Sequence, residues 1–289
     1  MSKIEEALNK AKKSREKGLT AYKGNLKASD ISELVSPDTM GGEVLRKSAA
    51  QDIALMDSGD ELNDDSLSEL KVIYSGMQDN KIANTYRDLR TKLIQKNKGK
   101  NFIIMVTTCN AGEDTALTSL NISAAFSFDE SKTSLLIDCN LNNPKLDDLL
   151  KMNADAGLTD YLENESIEVN KIVHKTGIKR LKVIPAGTSR ETATEYFTSL
   201  RMRKLMSDLL HRYDDRYIFI DAAPITESAD TRILVDLCDY VILVVPYGVT
   251  TKGKIEEAKE AIDKDKMLGV VFNNVPKIPK FRMPKVFSF

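Results

Sequence analysis

The sequence predicts an α/β protein with a doubly wound, mainly parallel sheet and helices on both faces. Two observations support this class: continuous apolar runs rich in Val, Ile and Leu, and segments of helical periodicity between them. Strands without polar alternation are buried on both faces, and strands that alternate with helices pair in parallel. The predicted strands are residues 102–107, 133–138, 181–185, 217–221, 240–245 and 268–273. The main helices between them are predicted at residues 114–126, 200–213, 229–237 and 251–265.

A further helix is predicted ahead of the first strand, over residues 78–97. Its apolar side chains fall on one side at helical spacing. They are Ile82, Tyr86, Leu89 and Leu93. We therefore expect this side to pack on the domain.

Composition describes an ordinary globular protein. The chain has 289 residues, 42% apolar and 29% charged, and its 42 basic and 43 acidic residues give a net charge of −1. This balance provides no global field for nucleic acid. No apolar run approaches the ~20 residues that cross a bilayer. We expect a cytoplasmic protein without a membrane span, which a partner could recruit to the inner face of the membrane.

The three cysteines are scattered and lack the spacing of metal ligands. We interpret Cys109, Cys139 and Cys238 as reduced thiols. A redox link between Cys109 and Cys139 is the alternative, since both would lie at strand ends near one loop.

The chain divides into four parts by composition. Residues 1–18 form a predicted basic amphipathic helix, and residues 19–77 are polar and acidic without a sustained period, as in a flexible tether. The globular domain is predicted at residues 78–275. Residues 276–289 form a basic and aromatic tail, which suits either an extended peptide docking on a partner or a lipid surface, or a disordered end.

A loop of small and polar residues, 107–113 (TTCNAGE), joins the first strand to the following helix. This strand, loop and helix order is that of a P-loop, whose backbone N–H groups surround phosphates. A working loop also needs a lysine for the terminal phosphates and a hydroxyl that binds Mg²⁺. The last three positions here hold Asp114, Thr115 and Ala116. The predicted cofactor-binding residues of this degenerate loop are Gly112, Glu113, Asp114, Thr115 and Ala116.

The altered loop should repel a triphosphate. An aspartate in place of glycine and a threonine in place of lysine make it two charges more negative. A charge pair about 4 Å apart is worth roughly 4 kcal/mol at an effective dielectric of about 20. Even discounted for solvent, this predicts a loss on the order of a thousandfold in nucleotide affinity. We expect no cofactor and no metal, with ATP and Mg²⁺ only if the loop has been rebuilt.

Two predicted strands end in acidic residues, Asp138 and Asp221. Ligands of parallel sheets bind at the carboxyl ends of the strands, so both carboxyl groups should face the loop. In an active enzyme they would orient Mg²⁺ and activate the acceptor. We interpret them here as remnants of a catalytic and metal site, and Asn273, at the end of the last strand, as a further candidate for cofactor binding.

Several segments, in order, resemble the kinase domain of the bacterial tyrosine kinases (BY-kinases). These are autokinases of capsule and exopolysaccharide assembly, within the deviant P-loop ATPases that include ParA and MinD. The segments are NTYRDLRTKL (84–93), TTCNAGEDTALTSLNISAA (107–125), LLIDCNLNNPKL (135–146) and YIFIDAAPITESADTRIL (217–234). The basic first helix is similar to the start of stand-alone members. The resemblance covers about residues 78–275.

The departures from the family fall on its chemical positions. Its glycine, lysine and Ser or Thr correspond to Asp114, Thr115 and Ala116, and the second acid of its second motif to Asn140. Residues 276–289 lack the family's tyrosine cluster. The glutamate that opens its oligomerising helix corresponds to Asn84, whereas Arg87 and Arg90 remain. The resemblance implies self-association or partner binding through these two arginines.

The resemblance and the departures together predict a catalytically impaired scaffold or regulator of exopolysaccharide or capsule biosynthesis and export. Its expected partner is a membrane chain-length protein, a polysaccharide co-polymerase, or an active BY-kinase, with homo-oligomers also conceivable. One alternative is an active tyrosine autokinase or ATPase with a rebuilt loop. Another is a positioning protein like ParA or MinD.

Overall fold

The computed structural model describes residues 61–77, 80–97, 100–110, 115–129, 132–188, 193–211 and 216–276, with residues 53 and 59. The predicted basic helix at 1–18, most of the predicted tether and the tail beyond residue 276 lie outside these ranges. So do three of the predicted loop residues, Gly112, Glu113 and Asp114.

In the described part of the chain, seven strands form one sheet in the order β3-β4-β2-β5-β1-β6-β7. Every neighbouring pair is parallel except β3 with β4. The strands are β1 (Ile103–Thr108), β2 (Thr133–Asp138), β3 (His174–Lys175), β4 (Leu181–Ile184), β5 (Arg216–Asp221), β6 (Tyr240–Pro246) and β7 (Met267–Asn273). The predicted α/β class is confirmed. Strand β3 was not predicted, because two residues are too few to show a period.

Ten helices accompany the sheet within the described ranges. They are α1 (Asp64–Glu69), α2 (Lys81–Lys96), α3 (Ala116–Ser127), α4 (Leu146–Leu150), α5 (Leu158–Glu163), α6 (Val169–Ile172), α7 (Ala193–Thr198), α8 (Leu200–His211), α9 (Ala229–Asp236) and α10 (Lys252–Glu260). The predicted helix at 251–265 is shorter than expected, since α10 ends at Glu260.

The core lies on both faces of the sheet, in two apolar clusters. Along β1, Ile103 and Met105 belong to one cluster, and Ile104 and Val106 to the other. Successive side chains of a strand point to opposite faces, so a central strand covered on both sides must be apolar throughout. This is why the continuous apolar runs identified the strands.

An aromatic group fixes α3 on the sheet. The ring of Phe102, just before β1, stacks on Tyr217 of β5 with centroids 4.6 Å apart. Phe126, near the end of α3, packs on Tyr217 and Phe219 at 5.0 and 5.1 Å. Such pairs contribute beyond the area they bury. The helix that follows the loop is thereby held against β5, the strand that ends in Asp221.

The segment 61–77 packs on the domain, whereas the sequence predicted that a tether continues to residue 77. Leu67 of α1, Val72 and Ile73 are buried in the cluster that also contains α3. The Leu62 N–H donates to the Gly177 carbonyl at 3.0 Å. The apolar residues of this segment do not repeat at a helical or strand period, so the sequence did not reveal the contact. We call this segment the strap.

Asn121 of α3 holds the strap by its backbone. Its Oδ1 accepts the Ile73 N–H at 2.8 Å, and its Nδ2 donates to the Lys71 carbonyl at 3.1 Å. Nδ2 also donates to the Leu117 carbonyl at 2.9 Å. Because both polar atoms of this amide have hydrogen-bond partners, its burial costs little free energy. The contact therefore depends on a polar residue inside a helix, which an apolar pattern does not reveal.

Helix α2 is close to its predicted position, with a correction to its buried side. Leu93 is buried, and Tyr86 and Leu89 are partly buried, as expected. Ile82, however, is 65% exposed. In the first turn the inward position belongs to Ala83, which is fully buried. Ile82 is therefore not part of the packed side.

Candidate functional site

The candidate site lies where β1 gives way to α3. Strand β1 ends at Thr108, and α3 begins at Ala116 with Thr115 as the residue before it. Both Thr115 and Ala116 are buried. The loop thus connects a central strand to a helix anchored on the sheet, which is the frame of a phosphate-binding loop.

Asp138 and Asp221 are brought together at this edge. They are the last residues of β2 and β5, and the parallel register places them opposite each other. Both side chains are buried. The sequence predicted this meeting, because parallel neighbours of equal register end at the same edge.

The carboxyl group of Asp138 is enclosed by backbone N–H groups. Oδ1 accepts from Asn140 at 3.0 Å, and Oδ2 accepts from Lys145 and Leu146 at 3.2 Å each. Burial, followed by the neighbouring charge of Asp221, raises the pKa of Asp138 from 3.8 to about 8 despite these donors. Burial thus shifts Asp138 toward its protonated form.

Asp221 is linked to the helix after the loop. The Ser119 hydroxyl, buried in α3, donates to Asp221 Oδ1 at 2.7 Å. The Cys139 N–H donates to the Asp221 carbonyl at 2.8 Å. Sequence reasoning missed Ser119. Its place one helical turn after Ala116 was the available signal, since that turn faces the strand ends.

Threonine hydroxyls tie the turn after β5 to β1. Thr107 Oγ1 donates to the Ala223 carbonyl at 2.6 Å, and Thr231 Oγ1 donates to the same oxygen at 3.0 Å. Thr226 Oγ1 donates to the Cys109 carbonyl. These residues were not predicted as part of the site. They fix the strand end from which the loop departs.

Asn273 lies away from the two acids. It ends β7, which is three strands from β5 in the sheet order. Its Oδ1 accepts the Asn274 N–H at 2.9 Å, and its carbonyl accepts the Tyr247 N–H at 2.8 Å. The structure does not place this residue with Asp138 and Asp221. Its role in cofactor binding stays a prediction.

The two arginines of α2 bind groups of their own chain. Arg87 donates to the carbonyl oxygens of Met77 at 3.0 Å and Ser75 at 3.2 Å, which holds the end of the strap. Arg90 Nη1 donates to the Ala125 carbonyl at 2.9 Å, near the end of α3. Both guanidinium groups thus have structural partners. Self-association through them stays a prediction.

The three cysteines are buried and form no disulfide bond with one another. Burial, with the nearby charge of Asp138, raises the pKa of the Cys139 thiol well above its ordinary value. A buried thiol that remains protonated is a poor nucleophile. Among the residues that the structure describes, no group of three or more His, Cys, Asp and Glu side chains is placed to hold a metal ion.

The sheet, the strand, loop and helix at its centre, and the paired acids define the class: a P-loop NTPase-type α/β domain. No protein-family model matches the chain. It is 31% identical over 198 residues to tyrosine-protein kinase CpsD of Streptococcus pneumoniae, covering 68% of this chain and 86% of that protein. It is 30% identical over 211 residues to tyrosine-protein kinase YwqD of Bacillus subtilis, covering 69% and 87%. The chain belongs to the family of bacterial tyrosine-protein kinases.

A solved structure agrees on the fold. The crystal structure of the chimerical protein CapA2B2 superposes with a TM-score of 0.64 at 22% identity, covering 75% of this chain and all of that one. None of the helices in the described part of the chain is both long and apolar enough to cross a membrane.

Proposed function

We propose that this chain is a catalytically impaired member of its family that acts as a scaffold or regulator of exopolysaccharide or capsule biosynthesis and export. The observation that carries the proposal is Asp114-Thr115-Ala116 at the end of the loop, where a kinase needs glycine, lysine and a hydroxyl. One added negative charge and one missing positive charge make the loop unfavourable for a triphosphate. Membership of the bacterial tyrosine-protein kinase family supports a role in polysaccharide biosynthesis.

The residues present do not fit a magnesium nucleotide. Ala116 is buried and offers a methyl group where Mg²⁺ would need a hydroxyl. Both carboxyl oxygens of Asp138 already accept backbone N–H groups, and Asp221 Oδ1 accepts the Ser119 hydroxyl. Thr115 brings no positive charge to balance a phosphate. These contacts support the proposal that the site keeps the strand, loop and helix of a phosphate-binding loop but no longer binds a magnesium nucleotide.

The positions of the substitutions suggest that the surface of the domain still has a binding role. The loop positions that carry chemistry differ from the family, whereas the strands and the helix around them remain apolar and packed. A domain without selection for its shape would accumulate changes in its core as well. We therefore infer that the shape is used for binding, with a polysaccharide co-polymerase or an active kinase of the same family as the partner.

Calorimetric titration with Mg·ATP tests the loss of nucleotide binding. We expect no binding tighter than about 1 mM for the natural chain. The triple change Asp114→Gly, Thr115→Lys and Ala116→Ser should restore binding at micromolar concentration, because it returns the lysine and the hydroxyl to a preserved frame. The exposed change Asp155→Gly is the matched control for removing one negative charge. Micromolar binding by the natural chain, with labelling of a tyrosine, would instead identify an active autokinase.

Binding to the membrane component tests the scaffold. The full chain, immobilised, should retain the cytoplasmic part of the polysaccharide co-polymerase encoded beside it, or an active kinase from the same cluster. A second chain lacking residues 1–18 shows whether the predicted basic helix takes part. If neither chain retains either partner, the scaffold proposal fails, whatever the result with ATP.

A further inference from the structure

Four large apolar side chains are exposed together at one edge of the sheet. Tyr247 is 49% exposed, Val249 70%, Phe272 59% and Val275 51%. We call these four residues the edge patch. Single exposed apolar residues are common on protein surfaces, but a contiguous group marks an interaction site.

The paired ends of β6 and β7 bring the residues of the edge patch near one another in the chain fold. Strands β6 and β7 are parallel neighbours, with Val245 opposite Phe272 and Pro246 opposite Asn273. The Tyr247 N–H donates to the Asn273 carbonyl at 2.8 Å, so the pairing continues one residue beyond β6. Tyr247 is the first residue of the turn after β6, and this hydrogen bond places its backbone beside Asn273, the neighbour of Phe272. Val249 and Val275 follow within two and three residues of this pair.

No element in the described part of the chain covers this edge. Strand β7 ends the sheet order, and every residue of it is at least partly exposed, whereas β6 is buried along its centre. A side chain built at Gly269 would have nothing within 4 Å. Strand β7 is therefore open on the side away from β6.

The sequence supplies a fitting occupant directly after the patch. Residues 277–289 follow Val275 and Pro276, and six of these thirteen residues are large and apolar. They are Ile278, Phe281, Met283, Val286, Phe287 and Phe289. A segment joined to its binding surface by so short a connection has an effective concentration on the order of millimolar or more.

We propose that residues 277–289 dock on the edge patch of their own molecule, with phenylalanine rings against Phe272 and Tyr247. Pro279 and Pro284 lack an N–H, so the segment docks by its side chains and does not add a full strand to β7. The basic residues Lys277, Lys280, Arg282 and Lys285 stay in water. This assignment is independent of the proposed function, since it involves neither nucleotide nor partner.

Hydrogen exchange of the full chain, compared with a chain that ends at Pro276, tests the docking. In the shorter chain we expect the amides of residues 247–250 and 268–275 to exchange about tenfold faster, because they lose their cover. A synthetic peptide of residues 277–289, added in excess, should restore the protection. Equal exchange in the two chains would overturn the proposal.

Side-chain variants of the full chain distinguish the contribution of the phenylalanine rings to docking from that of the lysine charges. Phe281→Ser, Phe287→Ser and Phe289→Ser together should reproduce the faster exchange, whereas the matched change Lys280→Ser with Lys285→Ser should not. These positions lie outside the described fold, and an unchanged melting curve confirms that the domain is intact. Protection that disappears on dilution, with a dimer seen by light scattering, would assign the patch to a second copy and overturn docking within one molecule.

Discussion

The carboxyl group of Asp138 links the stability of this domain to pH. Its pKa is about 8 in the folded protein, raised from the ordinary value of 3.8 mainly by burial. Between these two values the folded state holds a proton that the unfolded state has released. Stability is therefore full below the lower value and falls as the pH rises toward the upper one.

Asp138→Asn should remove most of this pH dependence. The amide cannot ionise, so the unfolding free energy of the variant should fall less than that of the natural protein as the pH rises from about 4 to about 8. Near pH 4 the variant should be the less stable of the two, because its amide NH₂ group would face one of the backbone N–H groups that donate to Asp138. Urea unfolding of both proteins at both pH values measures these differences.

Asp155→Asn, at an exposed aspartate, is the control for the loss of a carboxylate. It should change the unfolding free energy by less than about 0.5 kcal/mol at either pH. If the Asp138 variant and the natural protein lose stability in parallel as the pH rises, Asp138 is not the group responsible.

The two acids could be found from the sequence, but their surroundings could not. Asp138 and Asp221 each close an apolar run, and parallel strands bring such ends together. Ser119 and Asn121 are polar residues in α3, a helix buried nearly all round. The spacing of apolar residues does not show which way the polar side chains of a buried helix point. Their hydrogen-bond partners can therefore be identified only in the folded structure.

At the scale of the element, helix α5 depends on a close approach of two glycines. A side chain at Gly157, just before α5, would lie 2.4 Å from the Gly187 nitrogen and 2.4 Å from the Pro185 carbonyl oxygen. Both neighbours are backbone atoms after β4, and Gly187 itself has a φ of +82°. The backbone would have to move to admit even a methyl group.

Gly157→Ala should therefore lower the unfolding free energy by about 2–4 kcal/mol, as other strained core substitutions do. Gly253→Ala is the matched control. Gly253 lies within α10, a Cβ there meets nothing within 4 Å, and alanine favours a helix by about 1 kcal/mol. The two changes should move the urea midpoint in opposite directions. Equal effects would mean that the contact with Gly187 is loose.

The elements themselves follow the sequence to different degrees. Each predicted strand agrees with the structure within one residue at either end, because a strand covered on both faces is apolar throughout. Helix α1 was missed, because its one buried apolar residue, Leu67, stands in an acidic stretch. The position of this helix is set by contacts with residues that are distant in the sequence, and a local sequence pattern carries no information about such contacts.

At the scale of the whole molecule, the strap makes the folded unit larger than the predicted domain. A chain that begins at residue 60 retains the strap, and one that begins at residue 78 loses Leu67, Val72 and Ile73 from the core. Burial of such side chains contributes about 1.5–3 kcal/mol each. We expect the shorter chain to be less stable by about 5–9 kcal/mol, as measured by urea unfolding. Equal midpoints would show that the strap only lies on the surface.

The strap is attached at separate points along its length: Leu62 to Gly177, Lys71 and Ile73 to Asn121, and its last residues to Arg87. A mechanical pull on the chain ahead of it would load these points one after another. Attachments that break in sequence rupture at lower force than strands sheared all at once. Under tension the domain would thus peel from its leading end while its sheet stays whole.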